Sequence, residues 1–133
     1  MFSFETLPGL FAHATSAYDH ADMMNYPRGE EWVSYSTGEF RETVVKLSLG
    51  LHEMGVERGE SVGIIAPPCP EWVMLDLAIQ IAGGVTVPIF KRISRESFDH
   101  EIGDSAMRFL FVGNPAEVPM ALEHRNGLEK IIT

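Results

Sequence analysis

The clearest pattern along the chain is a helical repeat of apolar positions that follows a polar cap. Ser36 and Glu39 stand three residues apart, as the two members of a capping box do, and Tyr35 and Phe40 occupy the staple positions around them. Gly55 can end the helix in a left-handed conformation. The helix is predicted to bury one stripe, formed by Phe40, Val44, Leu47, Leu51 and Met54.

The most apolar stretch, residues 61–90, has the pattern of two strands around a helix. The run "SVGIIA" is unbroken, which is typical of a strand buried on both faces. Pro70 suits the first turn of a helix that reaches about Ala82. "VTVPIF" predicts the second strand, and Pro88 indicates an edge, a strand end or a bulge. The helix is expected to be largely buried, because apolar residues cover most of its circumference: Trp72, Val73, Leu75, Leu77, Ala78, Ile79, Ile81 and Ala82.

The flanking segments predict shorter elements. A helix over about 6–18 precedes a hairpin, whose strands are expected at about 23–26 and 31–36 around the turn "YPRGEE". After residue 90, Ser94 caps a helix that contains Phe98 and Ile102. "RFLFV" predicts a further strand, "NPAE" opens another helix, and a last strand is expected over 128–133, with the chain ending inside it.

Strands and helices therefore alternate from Ser61 onwards, with short loops between them. Such alternation predicts a parallel sheet whose helices are right-handed crossovers. The fold class is α/β, a parallel doubly wound sheet preceded by a helix and a β-hairpin. We expect residues 1–133 to form one α/β piece.

Composition and charge narrow the classes of partner. The chain has 133 residues, an apolar fraction of 45% and a formal net charge of −9. Nucleic acids and anionic membrane surfaces bind proteins through Lys and Arg side chains. Because this chain is strongly negative, neither is expected as a partner. The start has no basic residue before an apolar run, and the apolar stretch 72–87 is too short to span a bilayer. A lone Cys69 fits a reducing compartment, so the chain is expected to be cytoplasmic.

No strong catalytic motif is present in the sequence. No histidine has an i+3 or i+4 histidine partner, and the turn "APPCPEW" has no glycine where a dinucleotide-binding sheet carries its glycine-rich loop. Its prolines lack the amide donors that cradle a pyrophosphate. Cys69 has no base nearby in sequence, so we interpret it as structural.

Lys91 and Arg92 are the one local feature with electrostatic interest. They follow the strand "VTVPIF" and precede the helix cap Ser94. Ligands of open α/β sheets bind beyond the carboxyl ends of strands, and a basic pair beside a helix N-terminus can hold a phosphate. The alternative is that both are ordinary exposed charges of a loop.

Three segments resemble the amino-terminal part of an adenylate-forming (AMP-binding) enzyme, and more narrowly long-chain fatty acyl-CoA synthetases: "EWVSYSTGEF", "GLHEMGVERGESVGIIAPPCPEWVMLDLAIQIAGGVTVPIF" and "DSAMRFLFV". Their order and spacing carry the resemblance. Two departures are Pro68, where the family usually has asparagine, and Lys91-Arg92, where it more often has Pro-Thr.

The resemblance implies a parent enzyme that uses ATP and Mg²⁺ to form an acyl-adenylate and then transfers the fatty acyl group to CoA. The family's phosphate-binding, adenine and metal residues all lie later in such chains. We therefore expect the 133 residues to be roughly the first quarter of the enzyme and the start of its large N-terminal domain, inactive alone, with no bound cofactor and no catalytic residue. By position, Lys91 and Arg92 would meet a CoA phosphate.

The same resemblance bears on partners and location. The remainder of the polypeptide is the expected partner, and the bare chain is expected to form a homodimer through surfaces that the parent enzyme covers. The expected location is the cytoplasm, and a membrane-peripheral location of the parent enzyme is left as an alternative. The alternatives are a self-standing flavodoxin-like binding module and another adenylate-forming ligase, such as a peptide-synthetase adenylation domain.

Overall fold

The computed structural model describes residues 5–90, 93–123 and 127–133. Its helices are α1 (Leu7–Ala17), α2 (Thr37–Glu53), α3 (Pro70–Ile81), α4 (Arg95–Ser105) and α5 (Val118–Glu123), with a short 3₁₀ turn, Pro115–Glu117, before α5. Its strands are β1 (Met24–Arg28), β2 (Glu31–Tyr35), β3 (Ser61–Ile65), β4 (Val85–Ile89), β5 (Phe109–Val112) and β6 (Lys130–Ile132).

The strands form two separate sheets. β1 and β2 pair antiparallel as a hairpin, and the other four strands form a parallel sheet in the order β4-β3-β5-β6. The predicted fold class is confirmed, including the helix and hairpin that precede the sheet. Pro88 lies in the edge strand β4, where a missing amide donor is tolerated.

Helices cover both faces of the parallel sheet, and each face has its own core. Ile64 belongs to one core and Ile65 to the other, because successive side chains of a strand point to opposite faces. The first core joins α2 and α3 to the sheet through Phe40, Val44, Leu51, Val62, Ile64, Met74, Leu75, Ala78, Ile79 and Phe109, with Phe11 from α1. The second joins α4 and α5 to it through Ile65, Ile89, Phe98, Ile102, Leu110, Val112 and Ala121, with Met107 from the loop before β5.

Helix α2 forms as its cap and apolar stripe predict. The Ser36 hydroxyl accepts from the Glu39 amide at 3.2 Å, and the Glu39 carboxylate accepts from the Ser36 amide at 2.8 Å. Phe40, Val44 and Leu51 are buried, and Gly55 has a φ of 92° just beyond the helix.

The prediction that α3 is largely buried was wrong. Met74, Leu75, Ala78 and Ile79 are buried, but Trp72 is half-buried, and Val73 and Ile81 are 37% and 36% exposed. The sheet, α2 and α1 pack against α3, but they leave some of its apolar side chains at the surface. The apolar pattern alone could not indicate how many neighbours would surround this helix.

The hairpin turn is shorter than the sequence predicted. β1 continues through Pro27 and Arg28, and only Gly29 and Glu30 form the turn. Gly29 adopts a φ of 68°, which favours glycine and allows the tight two-residue connection. Arg28 therefore lies in a strand, where its position is fixed.

Candidate functional site at the carboxyl edge of the sheet

The topology places a crevice beyond the carboxyl ends of β3 and β5. These neighbouring strands are parallel, but the chain leaves β3 toward β4 through α3 and leaves β5 toward β6 through α5 on the opposite face. Loops that diverge from adjacent strands leave a crevice between them, and ligands of open α/β sheets bind at such switch points. We therefore take this edge as the candidate site.

The two diverging loops touch at their first residues. The Gly113 amide donates to the Ile65 carbonyl at 2.9 Å, and a Cβ placed on Gly113 would lie 2.6 Å from the Cβ of Ala66. Only glycine fits there without displacing the neighbouring loop. The floor of the crevice is thus closely packed.

The loop after β3 offers few backbone donors to a ligand. Pro67, Pro68 and Pro70 have no amide hydrogen, and the Cys69 side chain makes no capping hydrogen bond to α3. The thiol is partly buried, and this burial raises the pKa of Cys69, so the neutral thiol is favoured near pH 7. The geometry favours a structural role for Cys69.

A polar cluster joins the hairpin to the start of α3. Glu71 accepts hydrogen bonds from the Arg28 guanidinium and, at 3.1 Å, from the Tyr35 hydroxyl. Burial opposes ionisation of Glu71, but its backbone amide and the Arg28, Tyr35 and Cys69 side chains outweigh this effect and lower its pKa. The charged carboxylate therefore joins the hairpin to the start of α3 through its bonds to Arg28 and Tyr35.

Sequence reasoning missed this cluster. Arg28 lies 43 residues from Glu71, and Tyr35 lies 36 residues from it. The hairpin register gave no direct signal, because it places Arg28 and Tyr35 at opposite ends of the pairing. That register does not indicate where the hairpin packs, so the contact could not be derived.

Largely apolar cavities open at this edge, and two of them border the loop after β3. One, of about 480 Å³, is lined by Tyr26, Arg28, Ile64, Ala66, Cys69, Glu71, Trp72, Leu75, Phe111, Val112, Gly113, Ile132 and Thr133. The other, of about 440 Å³, lies between α3 and β4 and is lined by Ala66, Pro68, Cys69, Trp72, Val73, Pro88, Ile89 and Phe90. Trp72 and Cys69 border both cavities.

Lys91 and Arg92, the predicted site residues, lie outside the described residues. Their neighbours on the chain are described: β4 ends at Ile89, Phe90 is 80% exposed, and the Ser94 hydroxyl accepts from the Ser97 amide at 3.2 Å at the start of α4. Among the described residues, no group of three or more His, Cys, Asp or Glu side chains could hold a metal ion. In that same part of the chain, no helix is both long enough and apolar enough to cross a membrane.

The opposite, amino edge of the sheet carries an ion network. Arg108, just before β5, pairs with Glu60 at 2.7 Å and donates to both carboxylate oxygens of Glu129 at 2.8 and 2.9 Å. The Arg108 hydrogen bond lowers the pKa of Glu129, although partial desolvation opposes the shift. These three side chains tie together the segments that enter β3, β5 and β6.

Comparison with known proteins identifies the family. The family model of the AMP-binding enzyme matches residues 11–133. The chain belongs to the AMP-binding enzyme family. This confirms the resemblance seen in the sequence.

Curated relatives of this AMP-binding chain are long-chain fatty acid CoA ligases. FadD15 of Mycobacterium bovis is 33% identical over 92 residues, which are 69% of this chain and 15% of the relative. The ligase heimdall of Drosophila melanogaster is 28% identical over 109 residues, 77% of this chain and 16% of the relative. The matched region thus spans about one sixth of these relatives.

Solved structures share the fold of this AMP-binding chain. The anthranilate CoA ligase AuaEII in complex with anthranoyl-AMP matches 98% of the chain with a TM-score of 0.82, at 17% identity and over 25% of its own length. Apo MatB from Rhodopseudomonas palustris matches 93% of the chain with a TM-score of 0.74, at 19% identity and over 24% of its length.

Proposed function

We propose that this chain is the amino-terminal part of a long-chain fatty acid CoA ligase. The parent enzyme would convert a fatty acid, ATP and CoA into acyl-CoA, AMP and pyrophosphate through an acyl-adenylate. The observation that carries the proposal is the AMP-binding family match over residues 11–133, together with the 33% identity to FadD15. Residues 1–133 would form one α/β piece that starts a larger N-terminal domain.

The chain would supply scaffold rather than chemistry to that reaction. ATP with Mg²⁺ needs phosphate donors and oxygen ligands, but at the described carboxyl edge the loop after β3 has prolines, and the charged Arg28 and Glu71 are bonded to each other. These residues do not fit ATP or Mg²⁺. We therefore expect both to bind to later residues of the parent, and the isolated chain to be inactive.

CoA is the one substrate that this chain would contact, through Lys91 and Arg92. The support is their position after the carboxyl end of β4 and before the cap of α4, where a phosphate is favourably held. Replacing both with Ala in the parent enzyme should raise the KM for CoA about tenfold or more, the loss of a charged hydrogen bond. The KM for ATP should stay unchanged. Equal changes in the KM values for CoA and ATP would mean that the two side chains are ordinary exposed charges of a loop.

We propose the acyl group from the curated relatives, because the shared fold alone does not identify the acid. AuaEII, named as an anthranilate CoA ligase, shares the fold at 17% identity, whereas the curated relatives at 28–33% identity are named as long-chain fatty acid ligases. The parent protein should therefore form acyl-CoA from palmitate and ATP much faster than from acetate or anthranilate. Chromatography of the CoA thioesters measures this. Preference for anthranilate, or adenylate formation with no transfer to CoA, would favour another adenylate-forming ligase.

The isolated chain is also proposed to be cytoplasmic and to associate with itself. β4 and β6 are sheet edges, and unpaired edges and apolar patches favour association. Light scattering coupled to size exclusion should give a homodimer of the 14.8 kDa chain. A monomer over the whole concentration range would favour the self-standing module.

A further inference from the structure

The outer face of the β1–β2 hairpin carries an exposed tryptophan. This outer hairpin face is defined by four exposed residues, which the register pairs across the two strands: Asn25 with Ser34, and Pro27 with Trp32. The residues that alternate with them on the inner face are partly buried: Met24, Tyr26, Val33 and Tyr35. Trp32 is 71% exposed, although tryptophan is highly buried on average. An exposed, rigid aromatic side chain is typical of the anchor residues of binding surfaces.

The hairpin holds Trp32 in a fixed position. Arg28 of β1 is bonded to Glu71 at the start of α3, which fixes the hairpin to the rest of the chain. Across the outer face, the Ser34 hydroxyl donates to the side-chain oxygen of Asn25, which joins the two strands. A partner therefore meets an ordered surface, and little conformational entropy is lost when Trp32 is covered.

The charge around Trp32 is negative. Glu30 in the turn and Glu31 at the start of β2 are exposed, and among the described residues neither forms an ion pair. Arg28 is the only Lys or Arg in residues 19–36, and α3 already holds it in an ion pair. Residues two apart in a strand lie about 7 Å from each other, less than the screening length of about 8 Å at physiological salt. Both carboxylates therefore act on a charge placed at Trp32.

These charges distinguish between kinds of partner. An apolar surface on Trp32 would remove water from Glu30 and Glu31 without pairing them, which costs free energy. A cationic side chain over the indole is attracted both by the ring and by the two carboxylates. We propose that the outer hairpin face binds a basic segment of another protein, with an Arg or Lys side chain over the ring of Trp32. This surface is independent of the proposed ligase activity.

The test is a calorimetric titration of the protein from the complete reading frame with a short oligo-arginine peptide whose termini are blocked. Trp32→Ala should raise the Kd about threefold or more, because the cation loses its aromatic ring. The variant that combines Glu30→Gln and Glu31→Gln keeps the shape of both side chains and should raise the Kd about fivefold or more. Added salt should weaken binding of the unsubstituted protein.

The matched control combines Glu53→Gln and Glu57→Gln. Both glutamates are exposed, at the end of α2 and in the loop after it, and in the described part of the chain neither forms an ion pair. The control removes the same charge from a chain whose net charge is −9. Its Kd should change by less than about twofold, because these carboxylates have no aromatic partner for the peptide.

Four outcomes would overturn the proposal. Equal weakening in the two glutamine variants would mean that the peptide follows the overall charge, and an unchanged Kd in Trp32→Ala would exclude the ring. Binding of the protein to phosphatidylcholine vesicles that is lost in Trp32→Ala would make a lipid headgroup the occupant. Conversion of a dimer into a monomer by Trp32→Ala, measured by light scattering, would make a second copy the occupant. A protein that binds the peptide but forms no acyl-CoA would refute the ligase proposal alone.

Discussion

The two edges of the parallel sheet are built in opposite ways. At the amino edge, Arg108 binds Glu60 and Glu129, and the Arg108 guanidinium lies 5.1 Å from the ring centre of the buried Phe109. At the carboxyl edge, Phe111 and Trp72 are half-buried beside cavities. The difference teaches that an ion network joins the strands at the amino edge within the described residues, whereas the carboxyl edge presents apolar surface that nothing in them covers.

The largest expected effect separates Phe109 from Phe111, which lie on the same strand and the same face. Phe109→Ala should cost about 3–5 kcal/mol of unfolding free energy, because Phe109 is fully buried and its removal leaves a cavity. Phe111→Ala should cost clearly less in the 133-residue chain, because Phe111 is only half-buried and already lines a cavity. Urea denaturation of both variants measures the difference. Equal costs would mean that the carboxyl edge is as closed as the amino edge.

Gly113→Ala probes the contact between the two diverging loops. The new Cβ would meet the Cβ of Ala66 at 2.6 Å, so the variant should lose about 1–3 kcal/mol through overpacking. Gly38→Ala is the control, because Gly38 lies in α2 with nothing within 4 Å of an added Cβ. It should gain about 0.5–1 kcal/mol. A neutral Gly113→Ala in the same denaturation assay would mean that the loops are free to separate.

Acidification should weaken both edges through their carboxylates. The pKa values of Glu71 and Glu129 are lowered from the ordinary value of 4.5 in the folded chain. Their contribution is fully present above pH 4.5 and is lost as pH falls through the lowered pKa values. The Tm should therefore decrease as the pH is lowered below about 4.5. The decrease should be smaller in Glu71→Gln and Glu129→Gln than in the 133-residue chain without substitutions. An unchanged pH profile in Glu71→Gln would mean that Arg28 and Tyr35 do not hold this carboxylate in solution.

Much of this fold could be predicted because its signals are local. The capping box at Ser36, the apolar stripe of α2 and the run "SVGIIA" each fix an element through residues that are close in sequence. The failures concern contacts between distant segments. The exposure of Val73 depends on which elements surround α3, and the bonds of Glu71 depend on where the hairpin packs. The candidate site is built almost wholly from such contacts, so the sequence predicted its edge of the sheet without its polar cluster.

The most direct test of the account is complementation between the 133-residue chain and a polypeptide that begins at residue 134 of the parent protein. We expect neither part alone to form palmitoyl-CoA from palmitate, ATP and CoA, and the two co-expressed parts to form it. The readout is palmitoyl-CoA by chromatography, with the Phe109→Ala chain as the control that should complement poorly. Pyrophosphate release by the 133-residue chain alone, or full activity of the later part without it, would contradict the account.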